Sequence, residues 1–228
     1  MLMEKERQEI ADYGRKMSSS GLSRGTSGNL SIYDPATGYM AISPSGLGYF
    51  ETEAEDIVVM DLDGNIIDGA RTPSTEHDLH ITMYRNKPEA RAVVHTHSSF
   101  CTTLACLHQP IKAVHYVLAG AGVSEVPCAE YATFGTPELA ENVRRAIGGN
   151  KSKAVLLANH GLVTSGPNLA KAFSLAVNME FVSEMQWRAS CIGTPTLLDD
   201  TEIQTVMERF KSYGQPRKPV EKKDGTGY

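Results

Sequence analysis

Two histidines, His95 and His97, lie two residues apart at the end of the apolar run 92–94. In a β-strand the side chains of residues i and i+2 leave the same face, so both imidazoles would point to one place. Neutral imidazole nitrogens are common ligands of divalent metals. Because a lone histidine is more often structural, further ligands must decide whether this pair binds a metal.

A third imidazole follows the strand predicted over residues 153–158. His160 comes directly after this strand and before Gly161, which permits a sharp turn at the sheet edge. Three histidines with an open fourth position are the pattern of a catalytic rather than a closed structural zinc site. The alternative for His160 alone is a turn residue that binds a backbone carbonyl.

A carboxylate precedes the histidine pair. Glu76 is predicted in the first turn of a helix that opens at residues 74–76, with Ser74 as its N-cap. A carboxylate is stabilised there by the helix dipole even when it has no function. The other interpretation is a general base or a displaceable fourth metal ligand. His80 lies one helical turn further, but no His-Glu-x-x-His motif exists, which argues against a metalloprotease.

Three segments of small polar residues, 25–29, 43–46 and 74–75, have the chemistry of anion-binding loops. Backbone amides, hydroxyls and a helix N-terminus can hold a phosphate without lysine or arginine. Each segment alone would be an ordinary turn. The absence of a Walker motif and of a GxGxxG motif argues against a nucleotide ligand.

The composition sets outer limits. The chain has 228 residues, of which 41% are hydrophobic, and a net charge of −5, so neither nucleic acid nor an anionic membrane is an expected partner. No apolar leader or membrane-spanning run is visible. The four cysteines form no CxxC pair and predict reduced, mostly buried thiols in a cytoplasmic protein.

Periodicity and turn residues predict a mixed α/β layered fold. Helices are predicted over residues 4–20, 74–86, 99–108, 168–190 and 200–213, with another from Thr136, its cap, and Pro137. Strands are predicted over residues 30–33, 39–42, 57–61, 65–68, 92–97, 113–118 and 153–158 and near Val126. We expect one domain over residues 1–213 and a disordered tail over residues 214–228.

Together, segments 25–31, 43–46, 74–76, 95–97 and 159–161 resemble the class II aldolase/adducin family in order and spacing, along the chain to about residue 213. Segments 115–116, 131–135 and 210–214 further resemble bacterial members that act on L-fuculose 1-phosphate. The resemblance implies a three-layer α/β/α domain with a central, largely antiparallel sheet. It also implies a homotetramer with active sites at the subunit interfaces.

The resemblance assigns roles to named residues. It implies one zinc ion per subunit on His95, His97 and His160, with Glu76 as the fourth ligand before substrate binds. It places Tyr116 in the active site of a neighbouring subunit. The implied phosphate site is Thr26, Gly28, Asn29, Ser45, Gly46, Ser74 and Thr75, where relatives often have serine at the last position. The implied aldehyde-specificity residues are Phe134, Phe210 and Tyr213.

The implied reaction is the reversible cleavage of L-fuculose 1-phosphate to dihydroxyacetone phosphate and L-lactaldehyde. When the C3–C4 bond breaks, the dihydroxyacetone phosphate half is left as an enediolate. The resemblance implies that the metal stabilises its negative charge as a Lewis acid. Glu76 would move the C3 proton, and Tyr116 would serve the C4 oxygen. The ligand set alone does not distinguish zinc from cobalt, iron or manganese.

Other family members fit the same residues. The alternatives are ribulose-5-phosphate 4-epimerase, rhamnulose-1-phosphate or 5-deoxyribulose-1-phosphate aldolase, and methylthioribulose-1-phosphate dehydratase. Epimerases of this type carry an aspartate before the matched tyrosine, and His115 in that place disfavours epimerisation. A non-catalytic adducin-like interaction protein is a different class of answer, but such members lose metal ligands that this chain keeps.

Overall fold

The structure is a computed structural model that describes residues 1–213. The predicted tail, residues 214–228, lies outside the described residues. The helices are α1 (Glu4–Ser19), α2 (His77–Asn86), α3 (Ser99–Cys106), α4 (Pro137–Ile147), α5 (Leu169–Ile192) and α6 (Asp200–Ser212). The strands are β1 (Asn29–Asp34), β2 (Tyr39–Ile42), β3 (Val58–Asp61), β4 (Ile66–Asp68), β5 (Ala92–Thr96), β6 (Ile111–Lys112), β7 (Glu125–Val126), β8 (Cys128–Ala129), β9 (Ala154–Leu157) and β10 (Gly161–Gly166).

Eight of these strands form one sheet in the order β4-β3-β2-β1-β5-β10-β9-β8. Every neighbouring pair is antiparallel except β8 and β9, which are parallel. Strands β6 and β7 form a separate antiparallel pair. The central, largely antiparallel sheet predicted from the resemblance is therefore confirmed, and β5 lies in its middle.

Helices cover both faces of the sheet, which gives three α/β/α layers. Along β5, Val94 belongs to a core shared with α1, α3 and α5, whereas Val93 belongs to a core shared with α2 and α4. The same alternation separates Leu162 from Val163 on β10. Since side chains alternate along a strand, His95 lies on the α2 face together with Val93.

Most predicted elements are observed within a few residues of the expected bounds. Thr136 caps α4 through its hydroxyl, and Pro137 opens that helix as predicted. The interior strand β10 was missing from the sequence prediction. Its six residues are all buried, and the glycines at both of its ends, Gly161 and Gly166, are typical of a loop.

The strand predicted over residues 113–118 is wrong. Only Ile111–Lys112 pair as β6, and Tyr116–Ala121 form a 3₁₀ helix. The His115 imidazole accepts a hydrogen bond from the Val117 amide (3.3 Å), which caps this helix. Gly122 ends it with φ 84°, a conformation that favours glycine. The side-chain cap at His115 and the glycine at residue 122 therefore bound a short helix where the sequence predicts a strand.

Two further sequence predictions are corrected. The N-cap position of α2 is Glu76 rather than Ser74, whose hydroxyl accepts a hydrogen bond from the Glu76 amide (3.2 Å). The cysteines are not mostly buried, since Cys106 and Cys191 are exposed and Cys101 is buried. Within residues 1–213, no helix combines the length and apolarity needed to span a bilayer. The single-domain assignment stays a prediction.

Candidate metal centre and adjoining pocket

Four side chains converge at the end of β5. Glu76, His95, His97 and His160 each offer one ligand atom, and these four atoms lie within 4.8 Å of one another. His95 Nε2 lies 3.0 Å from His97 Nε2 and 3.3 Å from Glu76 Oε2, and His160 Nε2 lies 3.3 Å from Glu76 Oε1. The structure therefore brings together all four residues proposed from sequence as metal ligands.

The sheet explains how residues distant in sequence reach one point. His95 is the penultimate residue of β5 and pairs with Val163 of β10, while His97 follows the strand directly. His160 occupies the turn between β9 and β10, and Glu76 immediately precedes α2. The turn that carries His160 is made by Asn159, whose φ of 55° is left-handed.

The role expected for Gly161 is therefore corrected. It begins β10 instead of forming the turn, and a Cβ atom at this residue would lie 2.3 Å from the carbonyl oxygen of Thr96. Because two strands approach so closely here, only glycine fits without displacement of the backbone. The glycine thus keeps β10 against β5, which aligns His160 with the other two histidines.

Substitution of Gly161 by alanine should separate these strands. We expect the free energy of unfolding to fall by about 1–3 kcal/mol, the usual cost of overpacking, and zinc affinity to fall with it. Chemical denaturation and zinc titration measure the two effects. Gly193→Ala is the control, because its φ is 175° and no atom lies within 4 Å of its added Cβ. Equal stability and zinc affinity in both variants would contradict this explanation.

The local environment keeps the three imidazoles neutral. Burial lowers the pKa of His95 far below its ordinary value, and the neighbouring His160 and His97 lower it further. Burial also lowers the pKa of His97 and of His160. His95 Nδ1 lies 3.0 Å from the Leu162 carbonyl oxygen, to which it donates, so Nε2 is left as a lone-pair donor facing the cluster. Neutral imidazole is the form that binds metals.

Glu76 supplies the strongest sign that the cluster fits a cation. Its Oε2 accepts a hydrogen bond from Asn29 Nδ2 (2.8 Å), but its buried Oε1 has no hydrogen-bond partner among residues 1–213. A buried carboxylate oxygen without a partner is costly. A divalent cation among three imidazole nitrogens and this oxygen would satisfy it, and zinc accepts such a ligand set.

A cavity of about 420 Å³ opens beside the four ligands. Glu76, His97 and His160 contribute to its wall, and no lysine or arginine of the described chain does. All seven residues predicted to bind phosphate line the same cavity: Thr26, Gly28, Asn29, Ser45, Gly46, Ser74 and Thr75. The structure thus assembles the three segments predicted to bind an anion around one space next to the ligand cluster.

Two loops line the end of this cavity where the sequence predicts phosphate binding. The Ser45 amide donates to the Thr72 carbonyl (2.9 Å), and the Ser74 amide donates to the Ser43 carbonyl (3.0 Å). These bonds hold the 43–46 segment against the entrance to α2. Asn29 differs from the other residues because its buried side chain donates a hydrogen bond to Glu76 (2.8 Å) and so links this part of the cavity to the ligand cluster.

Of the four aromatic residues with predicted active-site roles, one lines the cavity and three lie elsewhere. Phe134 lines the cavity and is 64% exposed. Tyr116, Phe210 and Tyr213 do not line it. Tyr116 lies on the 3₁₀ helix with its ring centroid 6.4 Å from that of Phe210 in α6. Within one described chain, these three residues therefore belong to a different surface.

Sequence reasoning gave no role to two other cavity residues. Tyr131 and Asn159 both line the cavity, and Asn159 also makes the turn before His160. The Asn159 side chain accepts a hydrogen bond from His108 Nε2 (2.6 Å), which holds this turn against the end of α3. The motif Asn159-His160-Gly161 carried a detectable signal, since asparagine tolerates left-handed φ better than most residues.

Comparison with known proteins agrees with this geometry. The family model described as Class II Aldolase and Adducin N-terminal domain matches residues 8–187. The chain belongs to the class II aldolase and adducin family. A solved structure titled L-fuculose 1-phosphate aldolase is 41% identical to this chain and superimposes on it with a TM-score of 0.89. The match covers 92% of this chain and 98% of that structure.

Two curated relatives carry different substrate names. A 5-deoxy-D-ribulose 1-phosphate aldolase of Bacillus thuringiensis serovar kurstaki is 46% identical over 94% of this chain and 100% of its own length. An L-fuculose phosphate aldolase of Escherichia coli O6:H1 is 40% identical over 91% of this chain and 94% of its own length. The family assignment supports metal-dependent aldehyde-lyase activity of class II and a sugar-phosphate substrate.

Proposed function

We propose that this protein is a metal-dependent aldolase that reversibly cleaves a 1-phosphorylated 2-ketose between C3 and C4. One product is dihydroxyacetone phosphate and the other is a small aldehyde. The observation that carries the proposal is the partnerless Oε1 of Glu76, buried among three neutral imidazoles beside a cavity suited to phosphate. A solvated surface cluster or a purely structural turn would not leave this oxygen bare.

Zinc, one ion per subunit, is the proposed cofactor, with His95, His97, His160 and Glu76 as the residues that would hold it. When bound, it supplies Lewis-acid stabilisation to the negative charge that develops as the C3–C4 bond breaks. The chain needs no Schiff-base lysine for this chemistry, and no lysine lines the cavity in the described chain.

Glu76 is the proposed proton carrier at C3. In the synthetic direction it removes the C3 proton of dihydroxyacetone phosphate, and in the cleavage direction it returns that proton. Its position at the cavity wall, with one oxygen fixed by Asn29, suits a base that must approach a bound substrate. The phosphate is proposed to sit against the seven cavity residues named above, bound by amides and hydroxyls.

Two candidate substrates differ in the aldehyde that they would release. 5-Deoxyribulose 1-phosphate would yield acetaldehyde, and the 46% identity to a relative with that substrate name over its full length favours it. L-Fuculose 1-phosphate would yield L-lactaldehyde, and the segments around Tyr116, Phe134 and Phe210 favour it by resemblance. The two ketoses share the dihydroxyacetone phosphate half, so the metal and phosphate sites serve both equally.

A homotetramer with active sites at its subunit interfaces, in the cytoplasm, completes the proposal. Tyr116 would act on the C4 oxygen in the site of a neighbouring subunit, with Phe210 and Tyr213 beside it. This agrees with the exposure of Tyr116 and Tyr213, which are 50% and 87% accessible in the single chain and lie outside its cavity. Analytical ultracentrifugation and the activity of Tyr116→Phe test this part.

A coupled assay for dihydroxyacetone phosphate tests the function. The panel is L-fuculose, L-rhamnulose, D-ribulose, 5-deoxy-D-ribulose and 5-methylthioribulose 1-phosphates, with ribulose 5-phosphate epimerisation alongside. We expect the largest kcat/KM for 5-deoxy-D-ribulose 1-phosphate or for L-fuculose 1-phosphate. Faster turnover of another ketose would contradict the substrate assignment, and no cleavage of any by the zinc-loaded protein would overturn the proposed function.

The phosphate site makes a separate prediction. Thr75→Val removes one hydroxyl without a large change in volume, and one hydrogen bond to a charged oxygen is worth about 1.5–3 kcal/mol. We therefore expect KM to rise about tenfold or more, with a smaller effect on kcat. Inhibition by inorganic phosphate should weaken in parallel. Thr205→Val, on the exposed side of α6, is the control, and an unchanged KM in Thr75→Val would exclude its hydroxyl from the site.

A further inference from the structure

Five polar side chains form a buried row between α2 and β1. His80 and Tyr84 share one face of α2, Glu76 lies one turn earlier at the N-cap, and Asn29 and Ser31 share one face of β1. None of the five is more than 8% exposed. Polar groups buried this deeply are retained only when each is hydrogen-bonded.

The row is continuous. Asn29 Nδ2 donates to Glu76 Oε2 (2.8 Å), and Asn29 Oδ1 lies 2.5 Å from His80 Nε2. On the other side of the imidazole, His80 Nδ1 lies 2.6 Å from Ser31 Oγ. Ser31 Oγ lies 2.6 Å from the Tyr84 hydroxyl. One unbroken chain therefore runs from Tyr84 to the carboxylate.

Chemistry fixes the direction of every bond in this chain. The Asn29 amide must present its NH₂ to the carboxylate, so its oxygen accepts from His80 and Nε2 of that histidine carries the proton. His80 Nδ1 is then an acceptor, and the Ser31 hydroxyl donates to it. The Ser31 oxygen in turn accepts from Tyr84. Each donor polarises the next, which strengthens the whole row.

We infer that this chain of hydrogen bonds, donated in one direction from Tyr84 to Glu76, makes Oε1 of Glu76 the atom that accepts and returns the substrate proton, with His80 as a positioning residue. The inference rests on the proposed function. Oε2 already accepts from Asn29, and a proton placed between them would oppose the Nδ2–H group. Oε1 has no hydrogen-bond partner in the described chain and lies 3.3 Å from His160 Nε2, so it would hold the cation before substrate binds and be free to take the proton once substrate has displaced it.

The proton step balances on these atoms. In synthesis the C3–H bond of the substrate breaks, the proton bonds to Oε1, and the electron pair stays with the substrate. In cleavage the Oε1–H bond breaks and the C3–H bond forms. Because burial lowers the pKa of His80 to about 3, the histidine stays neutral throughout and holds Asn29 in one orientation.

Nitrogen NMR of the full chain labelled with ¹⁵N-histidine tests the hydrogen-bond order, with zinc and after its removal. We expect His80 as the neutral Nε2–H tautomer at neutral pH in both samples. The His80 signals are identified as those that disappear in His80→Gln. The nearly isosteric Tyr84→Phe should shift the same signals, which checks the assignment. A neutral Nδ1–H tautomer or a doubly protonated ring would overturn the inference.

Exchange of the C3 proton of dihydroxyacetone phosphate with solvent tests the positioning role. His80→Leu should lower the exchange kcat about 10–100-fold, typical for residues that orient a metal ligand, with little change in KM. His80→Gln should recover most of it, since its amide can donate to Asn29. Equal losses in the two variants at matched thermal stability would overturn the positioning role.

These experiments separate the inference from the proposed function. Absence of exchange and of cleavage in the zinc-loaded wild type would overturn the proposed function, and the role of Oε1 would fall with it. The tautomer of His80 does not depend on activity. Its measurement therefore supports or overturns the order of hydrogen bonds in either case.

Discussion

Glu76→Gln should lower exchange of the C3 proton of dihydroxyacetone phosphate by about 10²–10⁴-fold, the usual contribution of a general base. The glutamine amide cannot accept this proton at neutral pH. It offers one oxygen where the carboxylate offers two, so it cannot accept from Asn29 and also bind the proposed cation. His95, His97 and His160 remain, and we therefore expect zinc to stay largely bound.

Proton exchange by NMR and zinc content by elemental analysis measure the two parts of this prediction. Glu138→Gln makes the same chemical change on the exposed surface of α4 and is the control. Unchanged exchange in Glu76→Gln would show that another group moves the proton. Loss of exchange together with loss of all zinc would assign the residue to metal binding alone.

Removal of the metal is expected to have a similarly large effect. A Lewis acid at this position supplies several kcal/mol of transition-state stabilisation, and about 4 kcal/mol corresponds to roughly a thousandfold in rate. Treatment with a chelator should therefore reduce aldol cleavage at least to this extent, and added zinc should restore it. Magnesium should not restore activity, because it prefers oxygen ligands and octahedral geometry.

The same experiment has a thermodynamic readout. A ligand that binds only the folded chain raises the apparent stability with its concentration. We expect the unfolding temperature to rise with added zinc in the wild type, and to rise much less in His95→Ala. Full activity in protein shown by elemental analysis to be free of metal would overturn the proposed function.

The sequence predicted the ligand cluster more completely than the fold around it. His95 and His97 could be placed because strand periodicity is two, and Glu76 because small polar residues before it mark a helix start. His160 could be proposed because it directly follows a predicted strand, and family resemblance then assigned the three histidines to one metal and related the loops to one another. The structure then showed that these residues meet, which no local pattern establishes.

What sequence reasoning missed has definite physical causes. Strand β10 is buried on both faces between β5 and β9, so it lacks the alternation that marks a half-buried strand. The 3₁₀ helix at Tyr116–Ala121 also contacts α5 and α6, which lie far along the chain, and a local pattern does not reveal such contacts. The role of Gly161 depends on the distance to the Thr96 carbonyl, a tertiary property.

The buried row from Tyr84 to Glu76 shows a further limit. The spacing of Glu76 and His80 on one helix face was visible, but a helix face alone does not reveal its partner. Ser31 and Asn29 lie at least 45 positions before Glu76 in the chain, and the pairing of β1 with β5 places them against α2. Hydrogen bonds between distant elements are therefore the part of this site that required a structure.

The strict alternation of the two cores along β5 has a consequence for protein quality. A slip of one residue in the pairing of β5 with β1 and β10 would turn His95 into the α1, α3 and α5 core and leave Val94 facing Glu76. Such a chain could be compact yet hold no three-histidine site. The stoichiometry of bound zinc in a purified sample would then count the correctly registered molecules, which total protein concentration cannot do.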